Sequence, residues 1–528
     1  MLYSTEGIWA ARNLQPVPEK AVKTANASAL EGRTSNPAPA ATRFTLSEML
    51  GLATLVTVAA ILRFHSIGAR SFWIDEGTSV EIARLDWYNF ARLLWKREAN
   101  MSLYYLLLRV WLHAGSSEAF VRSFSTIFAL AAILVIYLLG RRLFDSRTGY
   151  IAATLLALNA YDVRYSQEAR SYTLMLLLCV LSMLYFAQTL AAPSRANCAA
   201  YVICSGLAVY AQFFSGLVIL AQWLSLRLLE RPRNWSDIRK SQLQITVAVL
   251  PIAVFVLTTG TGPLRWVQRP SAPDFWTFFV HLCGNAGPIF ADAYILACIA
   301  ALLLHLRPHR GLRFPQREWR YILLLFWLLF PPLLVLAVSW FRPLFVPRYF
   351  IGCLPALLLL AASGIANLRP RWLLPPALLL MLGLSLHGTI SYYRYDFEMQ
   401  RGDWRAASAY LLGNARSGDA LLFPNASFRM NYEYYLSRAR PPGAAPAVLY
   451  PSHDTGISYR DFVEKPDYSQ IAETVSAHSR VWLVLSRQSP DAAADSFRTL
   501  LAQHFTGPDV KDFAGLQLML YSQNRSEP

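Results

Sequence analysis

Between residues 46 and 390 the chain returns repeatedly to apolar runs about as long as a bilayer is thick. Eleven stretches qualify: 46–64, 119–140, 149–162, 171–190, 199–212, 214–229, 242–259, 289–306, 319–341, 349–366 and 371–390. A hydrocarbon core takes about 20 residues of helix to cross. Backbone polar groups there must be satisfied within the segment, so each run is expected to be helical. Only 16% of the 528 residues are charged, against about 25% in soluble domains. The chain therefore reads as a polytopic α-helical membrane protein. Residues 1–45 are polar and rich in Ala, Pro and Ser, without the short apolar core of a signal peptide. They are expected to form a disordered cytoplasmic tail.

The net charge of +16 has to be located before it means anything. From Ser391 onward 14 Lys/Arg face 15 Asp/Glu, so the excess lies earlier. It is parcelled out between apolar runs rather than gathered in one patch, which argues for topology and against nucleic acid. Clusters at Arg141/Arg142/Arg147, at Arg227 to Lys240, at Arg307 to Arg320 and at Arg369/Arg371 follow the second, sixth, eighth and tenth runs. Short basic connections stay cytoplasmic. Eleven spans with a cytoplasmic N-terminus put all four clusters on that side.

This threading places residues 65–118, 161–170, 260–288 and 341–348 outside, with everything after Ser391. In the first outer segment Trp87, Phe90 and Leu94 share one helical face, and Asn89, Arg92 and Lys96 another, as in a helix lying in the interface plane. Residues 103–113 are apolar but too short to span, and predict a second interfacial helix. From 391 to 528, short strand-like runs (Ala420–Phe423, Val481–Ser486, Leu516–Tyr521) alternate with helical stretches such as Asp491–His504. That pattern predicts a small extracytoplasmic α/β domain with its own core.

Three outer stretches carry groups able to do chemistry. Asp75 and Glu76 are adjacent carboxylates just past the first run. They can be read as solvated charges beside Trp73 in the aromatic belt, or as a general base where a lipid headgroup meets water. The connection Tyr161–Tyr172 holds Tyr165, Gln167, Glu168 and Arg170. Its spacing predicts Glu168 and Arg170 in the first turn of the fourth helix with Ser166 as N-cap, or simply a polar turn anchored by tyrosines. In the stretch from Phe341 to Phe350, Arg342 and Arg348 run against the cytoplasmic bias, and Tyr349 follows. A guanidinium there matches a phosphate bidentately, or snorkels without a ligand.

Other chemistries lack their residues. HExxH, GxxxxGK[ST], GxGxxG and Asp-x-Asp are all absent, and the nine histidines are scattered, which argues against a built metal site. No cofactor is expected, although carboxylates in a wet cleft can recruit a divalent cation without any spacing signature. The six cysteines have no CxxC spacing and read as buried thiols.

Leu62-Arg63, WIDEGTS (Trp73–Ser79), LYYLLL (Leu103–Leu108), YSQEAR (Tyr165–Arg170) and RYFIGCLP (Arg348–Pro355) together resemble the GT-C membrane glycosyltransferases, in the protein O-mannosyltransferase and lipid A aminoarabinose transferase superfamily. More narrowly the chain is similar to the bacterial family 39 group. The resemblance covers 46–390 in order and spacing. It is extended by Asp403-Trp404-Arg405 and Ser417-Gly418-Asp419, which resemble the start of the outer domain in such proteins. It implies a polyprenyl-phosphate sugar donor and an envelope glycan, lipid or protein acceptor, with transfer on the outer face of the inner membrane. By position it implies Asp75 as base with Glu76 as its acidic neighbour, Glu168 and Arg170 in the second loop of the site, and Arg348 and Tyr349 near the lipid phosphate. Asn100-Met101-Ser102 departs from the Pro that many relatives carry before the Leu-Tyr-Tyr run. Alternatives from other classes are a lipid-linked glycan flippase and a non-catalytic envelope scaffold. Transporters usually hold their charges near the bilayer midplane, whereas these candidates gather at one face.

Overall fold

A computed structural model describes residues 44–230, 234–259, 267–306, 313–396, 402–439, 445–451, 457–464, 466–486 and 492–523. The tail expected over 1–45 lies outside them except for its last two residues. Residues up to Met49 form a unit by themselves. Its described part is the first turn of α1 (Leu46–Phe64), where Thr45 and Glu48 cap each other: the Thr45 N–H donates to Glu48 Oε2 at 2.9 Å and the Glu48 N–H to Thr45 Oγ1 at 3.2 Å.

All eleven apolar stretches are helical. After α1 come three short helices, α2 (Ile74–Arg84), α3 (Trp87–Leu93) and α4 (Ser102–Trp111). The long run of helices follows: α5 (Glu118–Leu143), α6 (Ser146–Leu158), α7 (Ala160–Ser166), α8 (Tyr172–Ala191), α9 (Arg195–Ala211), α10 (Ser215–Ser225), α11 (Trp235–Thr259), α12 (Ala272–Leu282), α13 (Pro288–His305), α14 (Gln316–Ser339), α15 (Leu354–Ala366) and α16 (Leu374–Ser391). Among the described residues, eight helical segments are long and apolar enough to cross a membrane.

Stretches three, five and six give the shorter helices α6, α9 and α10, and hydrogen bonds at helix ends join α5, α9 and α10 to their neighbours. Arg320 Nη1 donates to Leu143 O at 2.6 Å and Trp319 Nε1 to Ser225 O at 2.8 Å, joining the ends of α5 and α10 to the start of α14. The Phe213 N–H donates to Asn100 Oδ1 at 3.1 Å, bringing the end of α9 to the segment after α1. The buried pair Arg63–Asp162, 2.6 Å apart, fastens α1 to α7. Arg63 also donates to Leu156 O and Ala157 O at 3.1 and 2.8 Å, so both of its terminal nitrogens meet buried acceptors.

The expected amphipathic helices of the first outer segment are present as α3 and α4. Helix α2, which carries Asp75 and Glu76, is an addition: its sequence, IDEGTSVEIAR, has no apolar period to announce it.

The C-terminal region adds α17 (Trp404–Asn414), α18 (Ala426–Leu436), α19 (Tyr468–Ser476) and α20 (Ala492–His504) around five strands. These are β1 (Ala420–Leu422), β2 (Ala447–Tyr450), β3 (Arg480–Ser486), β4 (Thr506–Phe513) and β5 (Leu516–Ser522), ordered β2-β1-β3-β5-β4. Strands β2, β1 and β3 are parallel, and β5 and β4 are added antiparallel. Val481, Leu483 and Leu485 face α19 and α20 in a core private to this region. Trp482, Val484, Leu516 and Leu518 face α17 and α18, and this second layer is continuous with the apolar core of the helical bundle. Only one face of the sheet therefore has a core of its own.

Candidate active site

Asp75 lies in the first turn of α2, where the positive end of a helix favours a carboxylate. Its Oδ2 is 3.6 Å from Arg348 Nη2 and 4.0 Å from Arg170 Nη2, and the side chain is 27% exposed. Three stretches far apart in the chain thus put one carboxylate and two guanidinium groups together at a partly exposed position. Arg170 is further fixed by donating to Asp75 O at 3.2 Å and to Ser79 Oγ at 3.1 Å. Arg348 lies 5.8 Å over the Trp73 ring and 5.7 Å over that of Tyr349. None of the Asp75 distances is a short hydrogen bond, so the carboxylate stays open to another partner.

Glu76 points elsewhere. It is buried, and Arg122 donates to both of its oxygens at 2.7 Å, while the Ala169 N–H donates to Oε1 at 2.9 Å. Arg122 also donates to Ile67 O, Arg70 O and Ser71 O at 2.8–3.0 Å. The Glu76–Arg122 pair therefore ties together the chain on both sides of Asp75 and the connection that carries Arg170. Both oxygens of Glu76 are thus engaged within the protein.

The second loop differs from its expected form. Helix α8 begins at Tyr172, and Ser166 ends α7, its Oγ donating to Val163 O at 2.6 Å. Glu168 and Arg170 lie in the tight connection between the two helices, so Ser166 caps neither. Glu168 is buried, 3.8 Å from Arg164 Nε. Gln167 is consumed within the protein: it donates to Arg63 O, His65 O and Tyr393 Oη, and accepts from Tyr392 Oη at 3.1 Å. Tyr165 is packed between the rings of Tyr161 and Tyr172, and Tyr161 Oη donates to Pro347 O at 3.0 Å. This tyrosine stack connects the loop to the turn bearing Arg348. Tyr349 packs on Phe214. Arg342 is exposed at the end of α14, and no hydrogen bond or ion pair among the described residues ties it to Asp75.

One residue escaped the sequence reading. Glu98, with 28% of its side chain exposed, accepts from Tyr105 Oη at 3.4 Å and lies 3.8 Å from Arg97. Burial pushes its carboxyl above the usual range against the pull of Arg97 and Arg170, and the nearby charge of Asp75 adds to the rise. A lone Glu beside Arg97 forms no motif, so nothing in the sequence marked it. Among the described residues no three His, Cys, Asp or Glu side chains are grouped to hold a metal ion.

Residues 101–258 match the sequence profile of the dolichyl-phosphate-mannose-protein mannosyltransferase family. The whole chain is similar to ArnT from Cupriavidus metallidurans. In the apo state the TM-score is 0.60 at 13% identity, covering 90% of this chain and 98% of that one. The chain has the fold of this membrane protein. The same ArnT has also been solved bound to undecaprenyl phosphate, again with a TM-score of 0.60 and 13% identity, over 92% of this chain and all of that one. The oligosaccharyltransferase of Archaeoglobus fulgidus, solved with Zn and sulfate, matches with a TM-score of 0.51 at 15% identity, over 90% of this chain and 73% of that one. No curated protein sequence matches the chain. The fold agrees with the resemblance carried by the motifs from Trp73 to Pro355, three of which contribute to the grouping around Asp75.

Proposed function

We propose that this protein transfers a sugar from a polyprenyl-phosphate donor to an envelope acceptor, at the opening framed by Asp75, Arg170 and Arg348. The observation that carries the reading is the convergence of one partly exposed carboxylate and two guanidinium groups from three separate stretches of the chain. Undecaprenyl phosphate bound to a protein of the same fold supports a lipid-phosphate donor.

In this reading Arg348 and Arg170 hold the donor phosphate, with Asp75 beside them as the base. The Asp75 carboxylate takes the proton of an acceptor hydroxyl as its oxygen attacks the anomeric carbon. The bond from that carbon to the phosphate oxygen breaks, the electron pair leaves with polyprenyl phosphate, and configuration inverts. Charge gathering on the leaving phosphate is stabilised by fixed guanidinium groups, which need not reorganise as it forms. Glu98, whose carboxyl burial raises, supplies a second carboxyl near Asp75 and Arg170. The opening faces the extracytoplasmic side of the inner membrane, with the N-terminus cytoplasmic, because that orientation keeps the basic connections inside.

The test is to incubate membranes containing the protein with a panel of radiolabelled polyprenyl-phosphate sugars and isolate the labelled product. Transfer to a lipid, glycan or protein that disappears in Asp75→Asn is expected. Label that stays on the donor with every sugar, or transfer unaffected by Asp75→Asn, would sink the proposal.

A further inference from the structure

The α/β region holds a second polar opening, separate in its residues from the Asp75 site. It is a cleft of about 300 Å3 lined by Tyr410, Arg416, Arg480, Trp482, Asp509 and Lys511, where the end of α17 meets β3, β5 and the edge strand β4. We propose that this cleft binds an acidic sugar residue, carrying a carboxylate or phosphate, of the acceptor glycan. The proposal rests on the sugar-transfer reading above for the identity of the glycan, and on the cleft alone for its chemistry.

Arg480 is set in place from beneath. Its Nε is 3.4 Å from Oδ1 of the buried Asp419, its Nη2 donates to Asn414 O at 3.3 Å, and Trp482 Nε1 donates to Asp419 Oδ2 at 2.8 Å. One buried carboxylate thus fixes both a guanidinium and an indole. The Arg480 guanidinium lies 5.9 Å over the Trp482 ring, and the Lys511 ammonium 5.6 Å over that of Tyr410. A preset guanidinium matches a carboxylate or phosphate bidentately. The contact between Lys511 and Tyr410 is weak at an exposed site, so an anion can draw the ammonium away and leave the ring face to a sugar. Asp509 supplies an acceptor for sugar hydroxyls. The volume is at the small end for ligand pockets, which suits one ring with its charged substituent.

A lipid headgroup carries the same anionic chemistry. A surface that seats on lipid, however, presents aromatic or aliphatic side chains to it. From residue 402 onward, Val463 and Val510 are the only large apolar side chains exposed among the described residues. The saccharide is therefore the better fit.

The test uses the full-length protein in detergent micelles, titrated calorimetrically with tetragalacturonate, its fully methyl-esterified form, inorganic phosphate and vesicles of anionic phospholipid. Lys511→Glu and Arg416→Glu change exposed positions and leave the buried Asp419 anchor intact. Tetragalacturonate is expected to bind the wild type, at least tenfold more weakly in either variant, with no measurable binding of the methyl ester. Equal binding of the ester, or unchanged affinity in both variants, would overturn the proposal. Binding of phosphate alone would overturn the saccharide assignment, and vesicle binding alone would make the cleft a membrane contact. Affinity for polyprenyl phosphate should be unchanged in Lys511→Glu; loss of both ligands together would mean that the variant is misfolded and the cleft unsupported. If no donor sugar is ever transferred while tetragalacturonate still binds as expected, the enzymatic reading fails and the cleft stands.

Discussion

Gly77 and Asn431 are packed so closely that a methyl group on the glycine would collide with the amide of the asparagine. Asn431 is buried and pinned by donating to Ile74 O at 3.0 Å and to Ser427 O at 3.1 Å, so it cannot swing aside. Helix α18 is thereby seated on the first turn of α2, one residue past Glu76 and two past Asp75. Gly77→Ala should lower the melting temperature and the turnover together, although alanine is the better helix former by about 1 kcal/mol. Gly77→Ala combined with Asn431→Ala should recover part of both. A more stable, fully active Gly77→Ala in a thermal melt and transfer assay would show that the seating is unimportant.

Asp75→Asn should retain the fold and donor binding while turnover falls by about 10²–10⁴, the usual contribution of a positioned acid or base. Single-turnover transfer of labelled sugar measures this. Near-normal turnover in Asp75→Asn with loss in Glu98→Gln would move the base to the other carboxyl of the opening.

Arg348→Ala should weaken donor affinity by about 1.5–3 kcal/mol, the worth of a charge-assisted hydrogen bond. Arg348→Lys should fall between it and the wild type, keeping the charge without the planar fork. Direct binding of polyprenyl phosphate reads this out, and unchanged affinity in Arg348→Ala would remove Arg348 from the phosphate site.

Breaking the Glu76–Arg122 pair from one side leaves a buried charge uncompensated, which costs about 3–5 kcal/mol. Glu76→Gln is therefore expected to act on stability rather than on the chemical step. The double variant Glu76→Met/Arg122→Met should be more stable than Arg122→Met alone, since no orphaned carboxylate remains. Equal melting temperatures for the single and double variants would deny the pair its holding role.

Glu81, on α2, shows how this seating responds to pH. Burial pushes its carboxyl up to about 7 against the pull of Arg84, 2.8 Å away, and the charge of Glu433 on α18 adds to the rise. A carboxyl raised in the folded state contributes stability that is complete below its ordinary value of 4.5 and is lost as pH rises through about 7. The melting temperature should accordingly fall between pH 5 and 8, and Glu81→Gln should flatten that slope. A wild type with no slope across this range would contradict the assignment.

The sequence was most informative where physical demands repeat. Apolar runs announced the helices, the shorter α6, α9 and α10 among them. Alternating apolar residues announced β3 and β5, each flanked by buried layers. Strand β4 was silent because it is an exposed edge, with Lys511, Asp509 and Pro508 where an inner strand would carry apolar groups. In the site, the sequence brought Asp75, Arg170 and Arg348 to the same side. The resemblance put Asp75 ahead of Glu76 as the base, but spacing alone could not say which faces Arg122, because neighbours in a helix point about 100° apart. Arg122 itself was hidden inside an apolar stretch that reads as a span.

The two braces of the Asp75 loop are completed at very different moments in the life of the chain. Arg122, which grips Glu76, is made 46 residues later, so that tie can close early. Tyr435, which accepts the Phe72 N–H, and Asn431, which grips Ile74, follow by 363 and 357 residues. A ribosome thus releases the Asp75 segment long before its second clamp or Arg348 exists. On the proposed reading, half-made copies would carry the base without the groups that steady it and bind phosphate. Assembly order alone would keep them idle until nearly the whole chain has been made.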